Sequence, residues 1–181
     1  LVVGGGRGMA GAVALAAAGA LRAGAGRVRI GCPFEVQPTV ASFEPSYMAF
    51  PLPDDGHGHI DFPLCGRDLE RLLDGASVLV IGPGLGKTEQ TRALLRWALE
   101  CVSVPTIIDA DGLNSLEGQA KLLDGLKRPV ILTPHPKEMS RLTGESVEAI
   151  QADREAAAVR LSSREGLIVA LKGAGTVVTD G

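Results

Sequence analysis

Short, nearly unbroken runs of valine, isoleucine and leucine recur along the chain, each followed by a loop of glycine, acid, histidine or lysine and then by a longer stretch of helix-forming residues. Read in order, the pattern predicts a strand over residues 1–3, a small-residue helix over 11–23 closed by Gly24 and Gly26, and a strand over 28–32. Residues 33–66 carry Pro33, Pro38, Pro45, Pro51, Pro53 and Pro63, so an irregular region is expected there with one short strand over 47–50. Regularity returns with a helix over 67–73, a strand over 77–81, a helix over 89–99, a strand over 106–108 and a helical segment over 116–123. A strand over 130–132, a helix pair over 137–163, a strand over 167–171 and a second strand over 177–179 that turns back on it complete the series. Continuous apolar strands alternating with helices predict an α/β fold: a mostly parallel sheet with helices on both faces.

Length and composition narrow this picture. With 181 residues, 45% hydrophobic and 22% charged, the chain is one domain or most of one, running over 1–181. A net charge of -3 with a single Trp and a single Tyr leaves neither a basic footprint nor stacking platforms, which argues against a nucleic-acid partner. The uncharged run over 9–21 falls short of the roughly twenty residues a bilayer span needs, so it reads as a buried helix and no membrane association is expected. Cys32, Cys65 and Cys101 are odd in number and widely spaced, which fits reduced thiols and a cytoplasmic location rather than disulfides or zinc. Leu1-Val2-Val3 reads as a strand already under way, so the expectation is that residues precede it.

The chemistry is concentrated in the loops after the strands, where open α/β sheets bind their ligands. Gly6-Arg7-Gly8-Met9-Ala10-Gly11 matches G-x-G-x-x-G, but the acid that a dinucleotide fingerprint wants at the end of the second strand is displaced past Pro33 to Glu35. Tight turning and close helix packing are the alternative role for these glycines. In Gly82-Pro83-Gly84-Leu85-Gly86, bare backbone N–H groups suit an anion or a flat polar group. Asp109-Ala110-Asp111-Gly112-Leu113-Asn114 offers Asp109, Asp111 and Asn114 to hydrated Mg²⁺ or a phosphate-bearing ligand, or as helix caps. His135, between Pro134 and Pro136, has its backbone fixed and is kept out of the following helix, which suits a side chain held over a cleft. Lys172-Gly173-Ala174-Gly175-Thr176 combines a cation, bare amides and a hydroxyl, the chemistry of a phosphate cradle, and equally suits a tight hairpin. His57-Gly58-His59 with Asp61 lacks a fourth ligand in reach, and no metal site is expected there.

Taken in order, the segments around Ala12, GPGLG at 82–86, DADGLN at 109–114, LTPHPKEM at 132–139 and LKGAGTVVTDG at 171–181 resemble the NAD(P)H-hydrate dehydratase family of the ribokinase-like superfamily. That resemblance implies a three-layer α/β/α fold and nucleotide-dependent dehydration of NADHX or NADPHX back to NAD(P)H, with ADP or ATP and Mg²⁺ as cofactors. It implies that Ala12, Gly84, Gly86 and His135 contact the hydrated dinucleotide and that Lys172, Gly173, Ala174, Gly175 and Thr176 contact the adenine nucleotide. Homo-oligomers are implied as well. Two departures stand out: the family's P-E-x-M is Pro45-Ser46-Tyr47-Met48 here, and its catalytic aspartate, in a G-T-G-D-type motif downstream of K-G-A-G-T, lies past Gly181. The catalytic residue is therefore unassigned, and the family's C-terminal part is expected to be absent from the chain. The alternatives are a thiazole- or pyridoxine-type kinase of the same superfamily and a non-catalytic dinucleotide-binding module.

Overall fold

The computed structural model describes residues 1–164 and 166–181. One sheet is built from β1 (Val2–Val3), β2 (Arg29–Pro33), β3 (Met48–Leu52), β4 (Leu79–Ile81), β5 (Thr106–Ile108), β6 (Val130–Leu132), β7 (Leu167–Leu171) and β8 (Val177–Thr179), in the order β3-β2-β1-β4-β5-β6-β7-β8. Every neighbouring pair is parallel except β7 and β8, which form the expected hairpin. From β1 the chain steps outward to β3, then returns to β4 on the far side of β1 and proceeds the other way. That reversal makes β1 and β4 the topological switch point of the sheet.

The helices are α1 (Ala10–Arg22), α2 (Gln37–Phe43), α3 (Phe62–Leu73), α4 (Glu89–Cys101), α5 (Asp111–Ser115), α6 (Pro136–Thr143), α7 (Val147–Ala152) and α8 (Arg154–Ser162). Three of them correct the sequence reading. The region expected to be irregular contains a 3-10 turn at Phe34–Val36, all of α2 and the first turn of α3. Pro38 and Pro63 stand in the opening turns of α2 and α3, where a missing N–H leaves no bond unmade, so they start helices rather than prevent them. The segment expected over 116–123 is instead α5, beginning at Asp111, and a 3-10 turn at Ala120–Leu123. Between them Gly118 takes φ +72, which ends helical winding. The helix pair over 137–163 is a trio: Gly144 closes α6 in the left-handed conformation, and Ser146 and Asp153 cap α7 and α8 through their side chains.

Alternate strand residues face opposite layers. Val3, Ile81, Ile108, Leu132 and Val169 point into the larger core, where Leu69, Leu94, Leu113, Met139 and Leu161 from the later helices meet them. On the other face Val2, Ile30 and Cys32 pack against Val13, Ala14 and Ala17 of α1 and Val40 of α2. This second layer covers the β1 to β3 side, and Ile107, Ile131 and Ile168 stay half-buried beyond it. Among the described residues no helix is long and apolar enough to cross a membrane.

Burial pushes the Cys32 and Cys65 thiols up to about 12 from an ordinary value of 9.0. Between those limits the unfolded chain gives up thiol protons that the folded chain retains, so stability is intact below pH 9 and falls as pH rises above it. Iodoacetamide at pH 8 is accordingly expected to label exposed Cys101 alone. Intact-mass measurement checks this, and labelling of Cys32 or Cys65 in the folded protein would contradict it.

Candidate active site at the carboxyl edge of the sheet

The loops leaving β1 and β4 interlock through their backbones. The N–H of Gly5 donates to the Pro83 carbonyl at 2.8 Å, and a Cβ on Gly4 would lie 2.3 Å from the same oxygen. Gly84 lies against α1: with φ +70, an added Cβ would come within 2.8 Å of the Met9 Cβ and 3.2 Å of the Ala12 Cβ. These glycines answer a need for close backbone approach. Gly8 and Gly11 do not, since an added Cβ at either would meet nothing within 4 Å. The first glycine loop thus combines a packed inner side with bare outer backbone.

A second layer of the site comes from the segment that the sequence reading left irregular. An isolated bridge between Asp54 and Ile60 closes a small loop whose Gly58 carbonyl accepts the Arg7 N–H at 3.1 Å. Arg7 pairs with Glu35 at 2.7 Å and donates to the Gly56 carbonyl, so the displaced acid reaches the first glycine loop as the arginine's partner. His59 projects from the same loop over Gly86, where an added Cβ would fall 2.7 Å from its ring. Its Nδ1 lies 3.2 Å from Asp55. Burial acts to raise the Asp55 carboxyl, but the His59 and His57 backbone N–H groups and the His59 ring outweigh it and hold the acid below its ordinary value.

From Gly86 a continuous line of polar contacts runs along the strand ends. The Gly86 N–H donates to Asp111 Oδ2 at 3.0 Å, and Asn114 bridges Asp111 to Arg141. Past Ala110, Asp109 Oδ1 accepts from Thr133 Oγ1 and from Lys172 Nζ, both at 2.7 Å. Lys172 Nζ also lies 3.8 Å from Glu138 Oε2, while its backbone N–H donates to the Pro134 carbonyl at 2.8 Å. Glu138 is 5% exposed and accepts the His135 N–H at 2.8 Å. His135 in turn accepts the N–H groups of Lys137 and Glu138 at Nδ1, completing a capping box. A neutral ring accepting at Nδ1 carries its proton on Nε2, which lies 3.4 Å from Glu138 Oε1.

These contacts decide several sequence alternatives. The prolines do keep His135 out of the helix interior, yet the ring turns back to cap α6 and leaves only Nε2 for a ligand. Neither Asp109 nor Asp111 caps α5, whose N-cap is Ala110 with no side-chain bond. Residues 173–176 form the turn between β7 and β8, and their N–H groups donate to no backbone carbonyl among the described residues. Arg154 braces this turn from beneath, donating to the carbonyls of Leu171 at 2.9 Å and Ala174 at 2.6 Å. With those carbonyls occupied and open space over Gly175, the turn presents amides outward. Among the described residues no hydrogen bond joins residues 173–176 to the first glycine loop or to GPGLG; Lys172 instead ties the turn to Asp109 and the Pro134 carbonyl. Glu138, Arg154 and His59 were not anticipated. Only Glu138 left a signal, three residues after the capping position in His135-Pro136-Lys137-Glu138.

The family model described as NAD(P)H-hydrate dehydratase matches residues 1–181. The chain belongs to that family. A curated relative, the bifunctional NAD(P)H-hydrate repair enzyme Nnr of Moorella thermoacetica, is 40% identical over 178 residues, which cover 98% of this chain and 33% of that protein. The ADP-dependent (S)-NAD(P)H-hydrate dehydratase of Xanthomonas campestris is 34% identical, covering 98% of this chain and 59% of its own. Thus the chain spans about a third of the first of these relatives and under two thirds of the second. Among solved structures, the Bacillus subtilis ADP/ATP-dependent NAD(P)H-hydrate dehydratase co-crystallised with ATP and Mg²⁺ superposes with a TM-score of 0.75 at 29% identity, over 98% of this chain and 58% of that one. A ribokinase-like superfamily protein from Enterococcus faecalis, 22% identical, has the same fold with a TM-score of 0.76. The ribokinase-like α/β architecture expected from the motifs is therefore the architecture observed.

In family terms, the residues present fit an adenine nucleotide better than a bare cation. Unpaired amides and an adjacent lysine suit a phosphate. For Mg²⁺ the donors are already committed: Asp109 Oδ1 to Lys172 and Thr133, Asp111 to Gly86 and Asn114. Among the described residues no group of three or more His, Cys, Asp or Glu side chains is placed to hold a metal. Between the two acids, Ala110 takes φ 50 and ψ -118, a conformation that favours glycine. Ala110→Gly is expected to relieve that strain and raise stability by about 1 kcal/mol after the added chain entropy is counted, seen as a higher Tm. A lower Tm would mean the Ala110 methyl contributes packing that outweighs the strain.

Proposed function

We propose that this chain binds hydrated NAD(P)H over the first glycine loop, GPGLG and His135, binds ADP or ATP at the β7 to β8 turn, and serves the nucleotide-dependent dehydration of NADHX or NADPHX. The observation that carries this reading is the row of contacts Gly86–Asp111, Asp109–Lys172 and Glu138–His135, which runs along the carboxyl edge from the loop after β4 to the end of β7, the two acids being joined through Ala110. The ADP-dependent dehydratase activity of the X. campestris relative and the ATP and Mg²⁺ of the B. subtilis crystals support the substrate and nucleotide classes. Any Mg²⁺ would enter on the nucleotide phosphates, because Asp109 Oδ1 and both Asp111 oxygens already accept hydrogen bonds from the protein.

The protein's task in such a reaction is positioning and electrostatics. Ala12, Gly84 and Gly86 let a flat ring approach the backbone, and His135 offers Nε2–H to a polar substituent on it. Transfer of the terminal phosphoryl group from ATP or ADP to the substrate hydroxyl oxygen would break the terminal P–O bond, release ADP or AMP and the hydroxyl proton, and make phosphate the leaving group. The C–O electron pair departs with it as a proton leaves the neighbouring carbon and the ring double bond forms. No residue of this chain is assigned to catalysis. The same reading includes a cytoplasmic setting, self-association into homo-oligomers and no nucleic-acid partner.

Incubation with hydrated NADH and ADP or ATP, followed by reduced-nicotinamide absorbance, tests the proposal. Nucleotide-dependent recovery supports it. Phosphorylation of a thiazole or pyridoxine-type alcohol instead would favour the kinase, and ligand binding without turnover a binding module. His135→Ala is expected to lower stability by about 1 kcal/mol through loss of the cap and to weaken binding of hydrated NADH about tenfold. Unchanged binding of hydrated NADH by that variant would remove His135 from the site.

A further inference from the structure

We infer that Glu138 is a positioning residue that couples the nucleotide turn to the dinucleotide half of the site. The inference rests on the function proposed above. The Glu138 carboxylate is nearly inaccessible, at 5% exposure, yet it reaches both halves of the site, Oε2 toward Lys172 and His135 and Oε1 toward His135. Oε2 holds the His135 backbone N–H at 2.8 Å and lies 3.8 Å from Lys172 Nζ; Oε1 lies 3.4 Å from His135 Nε2. Lys172 meanwhile donates to Asp109 Oδ1 at 2.7 Å.

One cation therefore answers to two carboxylates, and the Asp109–Lys172–Glu138 group carries a net negative charge where a phosphate would arrive. A phosphate at the turn has to draw Lys172 away from these acids. As Lys172 moves, Glu138 is left with His135 as its remaining partner, and the hold on that residue tightens. Nucleotide occupancy is in this way read out at His135. The capping box by itself would explain a Glu at position 138, but a cap requires only an acceptor, which glutamine also provides. The charge at 138 also favours the amino end of α6, so coupling is read in ligand affinity and not in stability alone.

Glu138→Gln keeps the acceptor for the His135 N–H and removes the charge, so it separates the two roles. The probes are α,β-methylene-ADP, which cannot transfer its phosphoryl group, and hydrated NADH, each titrated by calorimetry alone and in the presence of the other. In wild type the two are expected to strengthen one another's binding. In Glu138→Gln the analogue is expected to bind about fivefold tighter, because Lys172 is less restrained, and the mutual effect with hydrated NADH is expected to vanish. In a Lys172→Met background the Glu138→Gln change is expected to leave analogue affinity unaltered, and thermal unfolding of the same four proteins reads the pair's interaction independently of ligand.

Equal analogue affinity in wild type and Glu138→Gln, or persistence of the mutual effect in the variant, overturns the inference while leaving the proposed function standing. Failure of wild type to bind either probe overturns the proposed function and this inference with it. A lower Tm alone, the same with and without Lys172, would mean that Glu138 serves only as a cap and would also overturn the inference.

Discussion

Gly82→Ala is expected to destabilise the fold by about 4 kcal/mol and to take the site with it. The added methyl would lie 1.9 Å from the Asp109 carbonyl oxygen and 2.9 Å from the Gly112 nitrogen, and the backbone itself sits at φ +127, where a side chain is strained in any case. Neither partner can retreat cheaply. The Asp109 N–H is bonded to the Ile81 carbonyl at 3.1 Å, the Asp109 carbonyl accepts from Gly112 at 3.0 Å, and the Gly82 N–H is tied to Val3 at 3.1 Å. Relief therefore means separating β4 from β5 at their carboxyl ends, where Gly86, Asp111 and Asp109 are aligned. A fall in Tm of roughly 12 °C follows for a chain of this size. Gly11→Ala is the control: it lies inside α1 with open space around its added Cβ, and its expected effect is a gain of about 0.5 to 1 kcal/mol. Thermal unfolding of both variants measures the contrast. Comparable Tm values would mean the β4 loop is far more compliant than these distances allow.

That contrast also marks what sequence can and cannot convey. Gly82 and Gly11 belong to similar-looking glycine motifs, and only the tertiary approach of Asp109 distinguishes them. The strands over 106–108, 130–132, 167–171 and 177–179 were legible to the residue because unbroken Val, Ile and Leu leave no other reading beside flanking prolines and glycines. Between residues 33 and 66 the same logic failed. Proline density suggested irregularity, whereas Pro38 and Pro63 stand at helix starts, a distinction set by one or two positions of register.

At the site, the loops themselves were legible because each directly follows a strand. The partners that hold them were not. Arg154 stands on α8, and its guanidinium meets the turn over residues 173–176 only because α8 packs on β7 and β8.

 The carbonyls that Arg154 binds lie 17 and 20 positions on, at Leu171 and Ala174. No local periodicity spans such a gap. His59 reaches Gly86 in the same non-local way, through a loop whose acids and glycines look like solvent-facing sequence. Ala110 is the clearest case: Asp109-Ala110-Asp111-Gly112 suggests that any unusual backbone belongs to Gly112, and the structure puts it on the alanine.

Lys172→Met is expected to reverse the pattern of Gly82→Ala, leaving the fold and removing the nucleotide. The ammonium reaches into the rest of the site, through Asp109 at 2.7 Å and Glu138 at 3.8 Å. Its side chain is 42% exposed and that of Asp109 31%, so solvent screens the pair and its loss is expected to lower stability by only about 1 kcal/mol. Binding is another matter. Without the cation, the turn has only its amides to offer an incoming phosphate. Loss of one charge-assisted contact of this kind weakens ADP by about fiftyfold. Lys172→Arg is expected to recover only part of the affinity, because a planar fork cannot replace a compact ammonium held between one carboxylate in the loop after β5 and another on α6. Titration calorimetry with ADP, alongside thermal unfolding, measures both quantities. An ADP affinity within threefold of wild type in Lys172→Met would show that phosphate is held by backbone amides alone, and would leave the Asp109–Lys172 pair a purely structural tie between β5 and β7.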